Sequence, residues 1–244
     1  MASHTRTARI EAFGFQPGRI VARKYEIVCP LGAGWEGEVY KIRERATGIE
    51  MAAKFFFPHR NPKDRISIYY AKKLHRLRHC PIVIQYHNQE QIMFRGEPVT
   101  FLVSDYVEGQ LLSQFLSSQP GRRISAFQAL HLLHALAQGI ECLHKKREYH
   151  GDLHAENIIV SRYGLGFELK LVDMFYWGRT RSENLQDDLC DLIRLFYDAL
   201  GGKRHYAKQP RVVKEICLGL KRSLITKKFR SVAALREHIE RLEW

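Results

Sequence analysis

The sequence predicts an α+β protein of two lobes, a small antiparallel β lobe with one helix and a larger helical lobe. Two patterns predict this class. Apolar and polar residues alternate through most of the first hundred residues, and helical spacing dominates after Gly109. The 244 residues, 45% of them hydrophobic, suffice for a sizeable core. We expect a flexible basic extension over residues 1–18, the small lobe over 19–108 and the larger lobe over 109–244.

The small lobe begins with strand patterns. YEIVCPLG, from Tyr25, and GEVYKIRERATGIEMAAKFFF alternate in polarity, and RATG marks a hairpin turn. IVIQYHNQEQIMFRGEPVTFLVSDYV forms further strands around an RGE turn. Between these stretches, residues 64–80 predict the single helix of this lobe. Its apolar positions have helical spacing: Ile68, Ala71, Leu74 and Leu77.

The larger lobe is mostly helical. Residues 124–146 predict a strong helix with Ser125 as its N-cap. Its apolar stripe contains Phe127, Leu130, Leu133, Leu136, Ile140 and Leu143. NIIVSRYGLGFELKLVDM predicts a short hairpin, and LQDDLCDLIRLFYDALGG and SVAALREHIERLEW predict further helices.

Basic residues are concentrated near the C-terminal end. Lysine and arginine number 39 against 26 acids, and ten of them lie between Lys203 and Arg230 beside one acid, Glu215. Such a segment is either a solvated helical face or a site for acidic protein, nucleic acid or anionic lipid. No aromatic ladder or nucleic-acid motif interleaves the charges, which favours the solvated face and disfavours nucleic acid. An acidic protein partner at 203–230 stays an open alternative.

The cysteines and the hydropathy pattern bear on the compartment. No apolar run approaches the length that spans a membrane. The five cysteines contain no C-x-x-C pair, which argues against a disulfide framework or a zinc site. We therefore expect a reducing, cytoplasmic setting. The cysteines are Cys29, Cys80, Cys142, Cys190 and Cys217.

A glycine-rich loop precedes a lysine in an apolar strand. The loop has the pattern G-x-G-x-x-G-x-V, formed by Gly32, Gly34, Gly37 and Val39. Glycines let a backbone bend tightly and bring its N–H groups against phosphate oxygens, although a simple hairpin turn is the alternative. Lys54 lies on the third predicted strand between apolar neighbours, where burial would require an anionic partner such as phosphate. An edge lysine that extends to water is the alternative.

Three polar residues flank the predicted hairpin of the larger lobe. HGDLHAEN supplies Asp152 and Asn157, and an apolar strand ends near Asp173. A carboxylate can orient a hydroxyl and accept its proton, and an amide or carboxylate oxygen can ligate a hard cation. His150 and His154 have no third ligand nearby in the sequence, so we interpret them as structural rather than zinc-binding.

In this order, GAGWEGEV, AAK, HGDLHAEN and DMF resemble the glycine loop, A-x-K, H-R-D-x-x-x-x-N and D-F-G motifs of the protein kinase superfamily. The resemblance covers about residues 19–242, and the opening segment PGRIVARKYEIVCPLGAG is similar to bacterial-type Ser/Thr kinases. It implies a two-lobed kinase-like fold, ATP and Mg²⁺ as cofactors and a protein substrate.

The resemblance also implies residue roles. Lys54 would hold the α- and β-phosphates, Asn157 and Asp173 would hold Mg²⁺, and Asp152 would be the catalytic base. Ser104 falls at the gatekeeper position, where its small size would leave room behind adenine for bulky ATP analogues. Contacts to the adenine ring would come from Leu31, Val39, Ala52 and Ile159, with main-chain hydrogen bonds from Asp105 and Val107.

Several positions depart from the family pattern. Tyr70 stands where a helix glutamate would pair with the strand lysine, and HGD replaces H-R-D. Asp173 and Asp188 are so close in sequence that almost no activation segment separates them, and A-P-E is absent. Arg230 therefore needs another partner, for which we suggest Glu183. Glu36, at the tip of the glycine loop, would repel phosphate unless it points to solvent.

Three functions fit this sequence. The first is a compact Ser/Thr protein kinase. The second is a pseudokinase that binds partners or nucleotide without turnover, indicated by Tyr70. The third is a sugar- or aminoglycoside-type small-molecule kinase, indicated by HGDLH and the short segment after Asp173.

Overall fold

The computed structural model describes residues 9–163, 166–174 and 180–242. The chain divides into two compact units. One comprises Met1–Arg78 with Ile84–Val107, and the other comprises His79–Val83 with Glu108–Trp244. The first unit contains an antiparallel sheet and the second contains most of the helices, which confirms the predicted α+β fold class.

The first unit is built on a six-stranded antiparallel sheet in the order β1-β2-β3-β4-β6-β5. The predicted RATG hairpin joins β3 to β4, and the RGE turn joins β5 to β6. The predicted helix over 64–80 is α1, which is shorter at both ends than predicted. The strands are β1 (Ile20–Val21), β2 (Tyr25–Ala33), β3 (Gly37–Glu44), β4 (Glu50–Phe56), β5 (Tyr86–Phe94) and β6 (Glu97–Asp105), and α1 is Arg65–Arg76.

One face of this sheet forms a core rich in aromatic residues. Because successive side chains of a strand point to opposite faces, Ala53 and Phe55 of β4 enter the core while Ala52 and Lys54 face away from it. The Phe55 ring stacks on Phe101 of β6 at a centroid distance of 4.4 Å. The sheet therefore has one apolar face and a second face that carries Lys54.

The segment before β1 covers the apolar face, so the prediction of a flexible extension is wrong for residues 9–18. Ile10, Phe13 and Phe15 are each at most 5% exposed and belong to the core of the sheet. The buried Glu38 carboxylate accepts hydrogen bonds from the Phe13 N–H at 3.0 Å and from the Gly14 N–H at 3.3 Å. The segment is thus anchored by aromatic packing and by a buried carboxylate. Residues 1–8 of the predicted extension lie outside the described residues.

The second unit combines helices with a three-stranded sheet in the order β7-β8-β9. Ser125 caps α3 as predicted, by accepting a hydrogen bond from the Gln128 N–H. The predicted α3 stripe is buried except for Phe127, which is 48% exposed. The elements are β7 (Gln110–Leu111), α2 (Leu112–Ser118), α3 (Ala126–Lys145), β8 (Ile158–Tyr163), β9 (Gly166–Leu171), α4 (Ser182–Ala199), α5 (Lys203–Tyr206), α6 (Arg211–Cys217), α7 (Arg222–Lys228) and α8 (Val232–Glu240).

The short segment 79–83 belongs to this second unit and is bonded to it covalently. Cys80 forms a disulfide with Cys142 of α3, a bond that the sequence analysis, which argued against a disulfide framework, did not predict. Ile82 packs against α3 at Gly139, where an added Cβ would lie 2.2 Å from the Ile82 Cδ1 atom. Pairing between residues that are 62 positions apart depends on tertiary structure, which spacing alone does not reveal.

Two further sequence expectations concern charged residues of the second unit. Glu183 and Arg230 are both exposed and form no ion pair in the part of the chain that the structure describes, so that suggested pair is wrong. The basic segment 203–230 spans α5, α6 and α7, and part of its charge is neutralised within the unit. Arg211 pairs with Glu215, and Arg222 pairs with Asp187 of α4.

Candidate active site

The glycine-rich loop is the turn that joins β2 to β3. Its tip is closed by a hydrogen bond from the Gly34 N–H to the Gly37 carbonyl at 2.9 Å. Gly37 has to be glycine, because a Cβ there would lie 1.8 Å from the Phe55 carbonyl oxygen. At Gly32 and Gly34 an added Cβ would meet no atom of the described residues within 4 Å. The loop therefore approaches β4 closely at one glycine and leaves open space at the other two.

Strand register brings the predicted nucleotide-binding residues of the first unit onto one face. Val39 lies opposite Lys54 in the β3–β4 pair, and Ala52 lies opposite Ser104 in the β4–β6 pair. Residues directly opposite each other in a sheet share a face. Val39, Ala52, Lys54 and Ser104 therefore lie on the same side, away from the aromatic core. Leu31 is 43% exposed at the end of β2 that leads into the loop.

The chain after Ser104 has a defined hydrogen-bonding pattern. The Asp105 N–H donates to the Gln85 carbonyl at 3.0 Å, and the Asp105 carboxylate accepts from the Gln85 N–H at 3.2 Å. The Asp105 N–H is therefore already occupied and is not free to donate to a ligand. Val107 ends the first unit and is partly buried.

Lys54 has an acidic partner in the glycine loop. Its Nζ atom lies 2.7 Å from the Glu36 carboxylate, and the two side chains are 13% and 21% exposed. The same Nζ atom lies 5.1 Å from the ring centroid of Tyr70 and 5.5 Å from that of Phe56. Tyr70, which stands where a helix glutamate was expected, thus presents an aromatic ring to the ammonium group. Glu36 faces Lys54 and does not point to solvent.

The loop that carries Asp152 and Asn157 is ordered by hydrogen bonds in the second unit. The Asn157 amide NH₂ donates to the Asp152 carbonyl at 2.9 Å and to the Asp152 carboxylate at 3.2 Å. The Asp152 side chain is about half exposed, whereas Asn157 is buried. With the amide nitrogen directed at Asp152, the Asn157 amide oxygen accepts no hydrogen bond from any residue the structure describes. This oxygen is available to a hard cation.

A buried carboxylate fixes the start of the same loop. Asp188 of α4 is fully buried and accepts hydrogen bonds from the His150 N–H at 2.8 Å and the Gly151 N–H at 2.9 Å. The His144 Nε2 atom lies 3.0 Å from the same carboxylate. The sequence analysis noted Asp188 only for its short distance from Asp173, although an acid on an otherwise apolar helical face could have suggested a buried role. His144 was missed.

His150 and Asp173 connect this loop to the end of β9. His150 is fully buried, and its Nε2 atom lies 3.1 Å from the Val172 carbonyl, which is the structural role that the sequence indicated. The Val172 N–H donates to the Asn157 carbonyl at 3.0 Å. Asp173 follows Val172 directly, so this backbone hydrogen bond holds the chain next to Asp173 against Asn157. Asp173 itself has a left-handed φ of 53°. Phe175 of the DMF motif lies outside the described residues.

The last predicted adenine contact, Ile159, belongs to the β8–β9 hairpin. Ile159 lies on β8, paired with Leu111 of β7 on one side and Lys170 of β9 on the other. Its side chain is partly buried. Asn157 precedes β8 and Asp173 follows β9, so this hairpin positions three of the predicted site residues within the second unit.

Acidic residues of α4 near this loop influence one another. Burial, together with the neighbouring carboxylates of Asp188 and Asp187, raises the pKa of Asp191 to about 6. Arg194 acts in the opposite direction. The helix that holds the Asp152 loop therefore contains a carboxyl group that is harder to ionise than an ordinary aspartate.

Comparisons with known proteins agree with these motifs. A family model described as the protein kinase domain matches residues 25–197. The probable serine/threonine-protein kinase YbdM of Bacillus subtilis is 25% identical over 244 aligned residues, covering 92% of this chain and 91% of that protein. The Aurora kinase of Schizosaccharomyces pombe is 29% identical over 188 residues, covering 75% of this chain and 50% of that protein.

A third relative matches over a shorter region. The mouse dual specificity testis-specific protein kinase 1 is 33% identical over 138 residues, covering 56% of this chain and 20% of that protein. The chain thus spans half or less of the length of the Aurora and testis-specific kinases. Within the described residues, no helix is both long enough and apolar enough to cross a bilayer. Because the family model covers well over half of its residues, this chain belongs to the protein kinase family.

Proposed function

We propose that this protein is an ATP- and Mg²⁺-dependent Ser/Thr protein kinase that transfers the γ-phosphoryl group of ATP to a protein hydroxyl. The observation that carries the proposal is the orientation of Asn157. Its amide nitrogen is bonded to Asp152, which leaves its amide oxygen for a cation beside the proposed base. The kinase family match and the serine/threonine kinases among the relatives support the same reaction.

The residues of the second unit supply the base and the cation ligands in this proposal. Asp152 accepts the proton of the substrate hydroxyl, and its half-exposed carboxylate suits contact with a protein substrate. Asn157 and Asp173 provide oxygen ligands, which are the donors that Mg²⁺ prefers. When bound, Mg²⁺ would neutralise charge on the phosphate oxygens. Asp188 holds the backbone of the loop, so that Asp152 keeps its position during transfer.

The residues of the first unit bind the nucleotide in this proposal. Lys54 holds the α- and β-phosphates, and the backbone of the glycine loop at Gly32 and Gly34 covers them. Adenine lies on the sheet face that carries Val39 and Ala52. Further adenine contacts come from Leu31, Ile159 and the main chain at Asp105 and Val107.

Ser104 gives a specific test of this adenine register. Because its side chain is small, we expect an ATP analogue with an enlarged purine to bind, and Ser104→Met to weaken that analogue more than ATP. Equal affinities of the enlarged analogue for the two proteins would show that the register is wrong.

A pseudokinase is the second candidate function, favoured by the contacts of Lys54. The ammonium group is paired with Glu36 and lies near the Tyr70 ring, where catalytic members of the family have a helix glutamate. On this alternative the protein binds nucleotide or partners without turnover. A small-molecule phosphotransferase remains the third alternative, since few residues separate Asp173 from Asp188.

Transfer from radiolabelled ATP separates these functions. The purified protein is incubated with labelled ATP and Mg²⁺, alone, with basic protein substrates and with amino sugars. We expect label on protein, and a loss of about 10²–10⁴-fold in Asp152→Ala with ATP binding retained. Glu156→Ala is the matched control, because Glu156 is an exposed acid in the same loop and should leave transfer unchanged.

The other possible results of this assay would support one of the alternative functions or contradict the assignment of the base. Label on the amino sugars alone would support the small-molecule kinase. ATP binding without transfer to any acceptor would support the pseudokinase. Full transfer by Asp152→Ala would show that the assignment of the base is wrong.

A further inference from the structure

We propose that Glu36 is an internal anion that competes with the nucleotide phosphates for Lys54 and thereby sets nucleotide affinity. This inference rests on the proposed function, because it requires that Lys54 bind phosphate. It concerns the tip of the glycine loop, where the chain places an acid between Trp35 and Gly37.

The first observation is the ion pair itself. The Glu36 carboxylate lies 2.7 Å from the Lys54 Nζ atom, and both side chains are mostly buried. A charged hydrogen bond of this length in a partly desolvated setting is stronger than an exposed ion pair. A phosphate oxygen that binds Lys54 has the same charge and seeks the same N–H donors. The two anions therefore repel each other at this ammonium group.

The second observation is the surroundings of the ammonium group. The rings of Tyr70 and Phe56 lie 5.1 Å and 5.5 Å from Nζ and present aromatic carbon to it. A kinase helix glutamate would contact its lysine from the α1 side, but Tyr70 of α1 faces Lys54 here. Glu36 instead reaches Lys54 from the glycine loop. Because that loop is also the element proposed to cover the phosphates, Glu36 approaches from their side.

The third observation is that the loop tip is held by more than one contact. The Phe57 N–H donates to the Glu36 carbonyl at 2.9 Å, which fixes the backbone next to the end of β4. The Trp35 ring lies 4.0 Å from the Arg60 guanidinium carbon, a cation–π contact. These contacts fix the backbone of the loop tip, where the Glu36 carboxylate pairs with Lys54. Phosphate binding then has to displace the carboxylate, which lowers the apparent affinity.

If Glu36 assisted phosphate binding instead of competing with it, removal of its charge would change nucleotide affinity in the opposite direction. If Glu36 replaced the missing helix glutamate, it would position Lys54 for the phosphates, and removing its charge would weaken nucleotide binding. If Glu36 competes with the phosphates, removing its charge strengthens binding. The direction of the change in affinity therefore decides between the two roles.

The test is calorimetric titration of wild type and Glu36→Gln with Mg-ATP, Mg-ADP and adenosine. We expect Glu36→Gln to bind ATP and ADP roughly tenfold more tightly, a factor that corresponds to about 1.4 kcal/mol. Adenosine should bind both proteins equally, because it has no phosphate to compete with Glu36. A Glu36→Ser variant repeats the test without an amide at the tip.

Two matched controls isolate the Lys54 contact. Glu50→Gln removes the same charge from β4 of the same unit, but Glu50 pairs with Lys41 at 2.6 Å, so nucleotide affinity should be unchanged. In a Lys54→Met background, Glu36→Gln should have no further effect on ATP binding, because the shared cation is gone.

The outcomes separate this inference from the proposed function. ATP binding to Glu36→Gln that is unchanged or weaker, while wild type binds and transfers phosphate, would overturn the inference alone. An equal gain for adenosine would also overturn it, since the effect would not involve phosphate. Failure of every variant and of wild type to bind ATP would overturn both proposals.

Discussion

Replacement of Asp188 tests whether hydrogen bonds from a buried carboxylate fix the backbone of the Asp152 loop. Asp188→Asn keeps the size of the side chain but exchanges one acceptor oxygen for an NH₂ donor. The carboxylate now accepts from the His150 and Gly151 N–H groups at 2.8 Å and 2.9 Å. An amide can satisfy only one of these donors and places its own N–H groups against the other.

The expected cost follows from these contacts. Asp188 is fully buried, so water does not replace a lost partner. Losing one hydrogen bond to a charged group and leaving one buried donor unsatisfied costs about 2–5 kcal/mol of unfolding free energy. We expect kcat to fall as well at temperatures where the variant is folded, because the loop that carries Asp152 loses its anchor.

Urea denaturation followed by circular dichroism measures the stability, and the transfer assay measures kcat. Asp187→Asn is the control, because Asp187 is the preceding residue on α4 and its half-exposed side chain pairs with Arg222. That variant should lose no more than about 1 kcal/mol. The reasoning is refuted if Asp188→Asn costs no more than Asp187→Asn, or if its transfer rate equals that of wild type.

Three further predictions concern other parts of the chain. Phe15→Ala should lower the unfolding free energy measured in urea by about 3–5 kcal/mol, because the ring is buried. Phe127→Ala removes a half-exposed ring and should lower it by less than about 1 kcal/mol. Equal losses of stability would contradict the packing of the N-terminal segment. Because the native pKa of Asp191 is raised to about 6, the native state binds this proton more tightly than the unfolded chain, so its contribution to stability should fall as pH rises from about 4 to above 6. Thermal unfolding of Asp191→Asn should lack that part of the pH dependence, and an unchanged pH profile would contradict the raised pKa. Reduction of the disulfide should lower the unfolding free energy of wild type by about 2–4 kcal/mol, and Cys142→Ser should show no such response to reductant. Five free thiols in the unfolded, unreduced protein would mean that Cys80 and Cys142 are not bonded.

Local periodicity was enough to predict most elements of the fold. The β3–β4 hairpin, α1 and α3 were identified because alternation and helical spacing are properties of short stretches. The same patterns do not say where a stripe ends. Phe127 belongs to the predicted α3 stripe by spacing, but it lies in the first turn of the helix and is half exposed.

The N-terminal segment was missed because its burial depends on distant residues. Phe13 and Phe15 flank a glycine and have too short a repeat to indicate a helix or a strand. Their partners are Glu38 and Phe55, which approach them only after the sheet has formed. A basic and polar beginning therefore suggested disorder, although the following aromatic residues complete the core.

The candidate site was predicted as a set of residues, but several of its contacts were not. The motif order identified Asp152 and Asn157, and the structure adds the hydrogen bond between them. The partner of Lys54 could not be predicted, because Glu36 is 18 positions away and reaches the ammonium group only through the fold of the glycine loop. The role of Asp188 depends in the same way on backbone groups that are 37 and 38 positions away.

A crystal structure of the protein with a non-hydrolysable ATP analogue and Mg²⁺ is the most direct test of the proposed site. We expect Lys54 to contact phosphate oxygens in place of Glu36, and Asn157 and Asp173 to ligate the cation. A structure in which the analogue binds elsewhere, or in which Asn157 and Asp173 make no contact to the cation, would contradict the proposed function. A bound analogue with the Glu36–Lys54 pair intact at 2.7 Å would contradict the competition between Glu36 and phosphate.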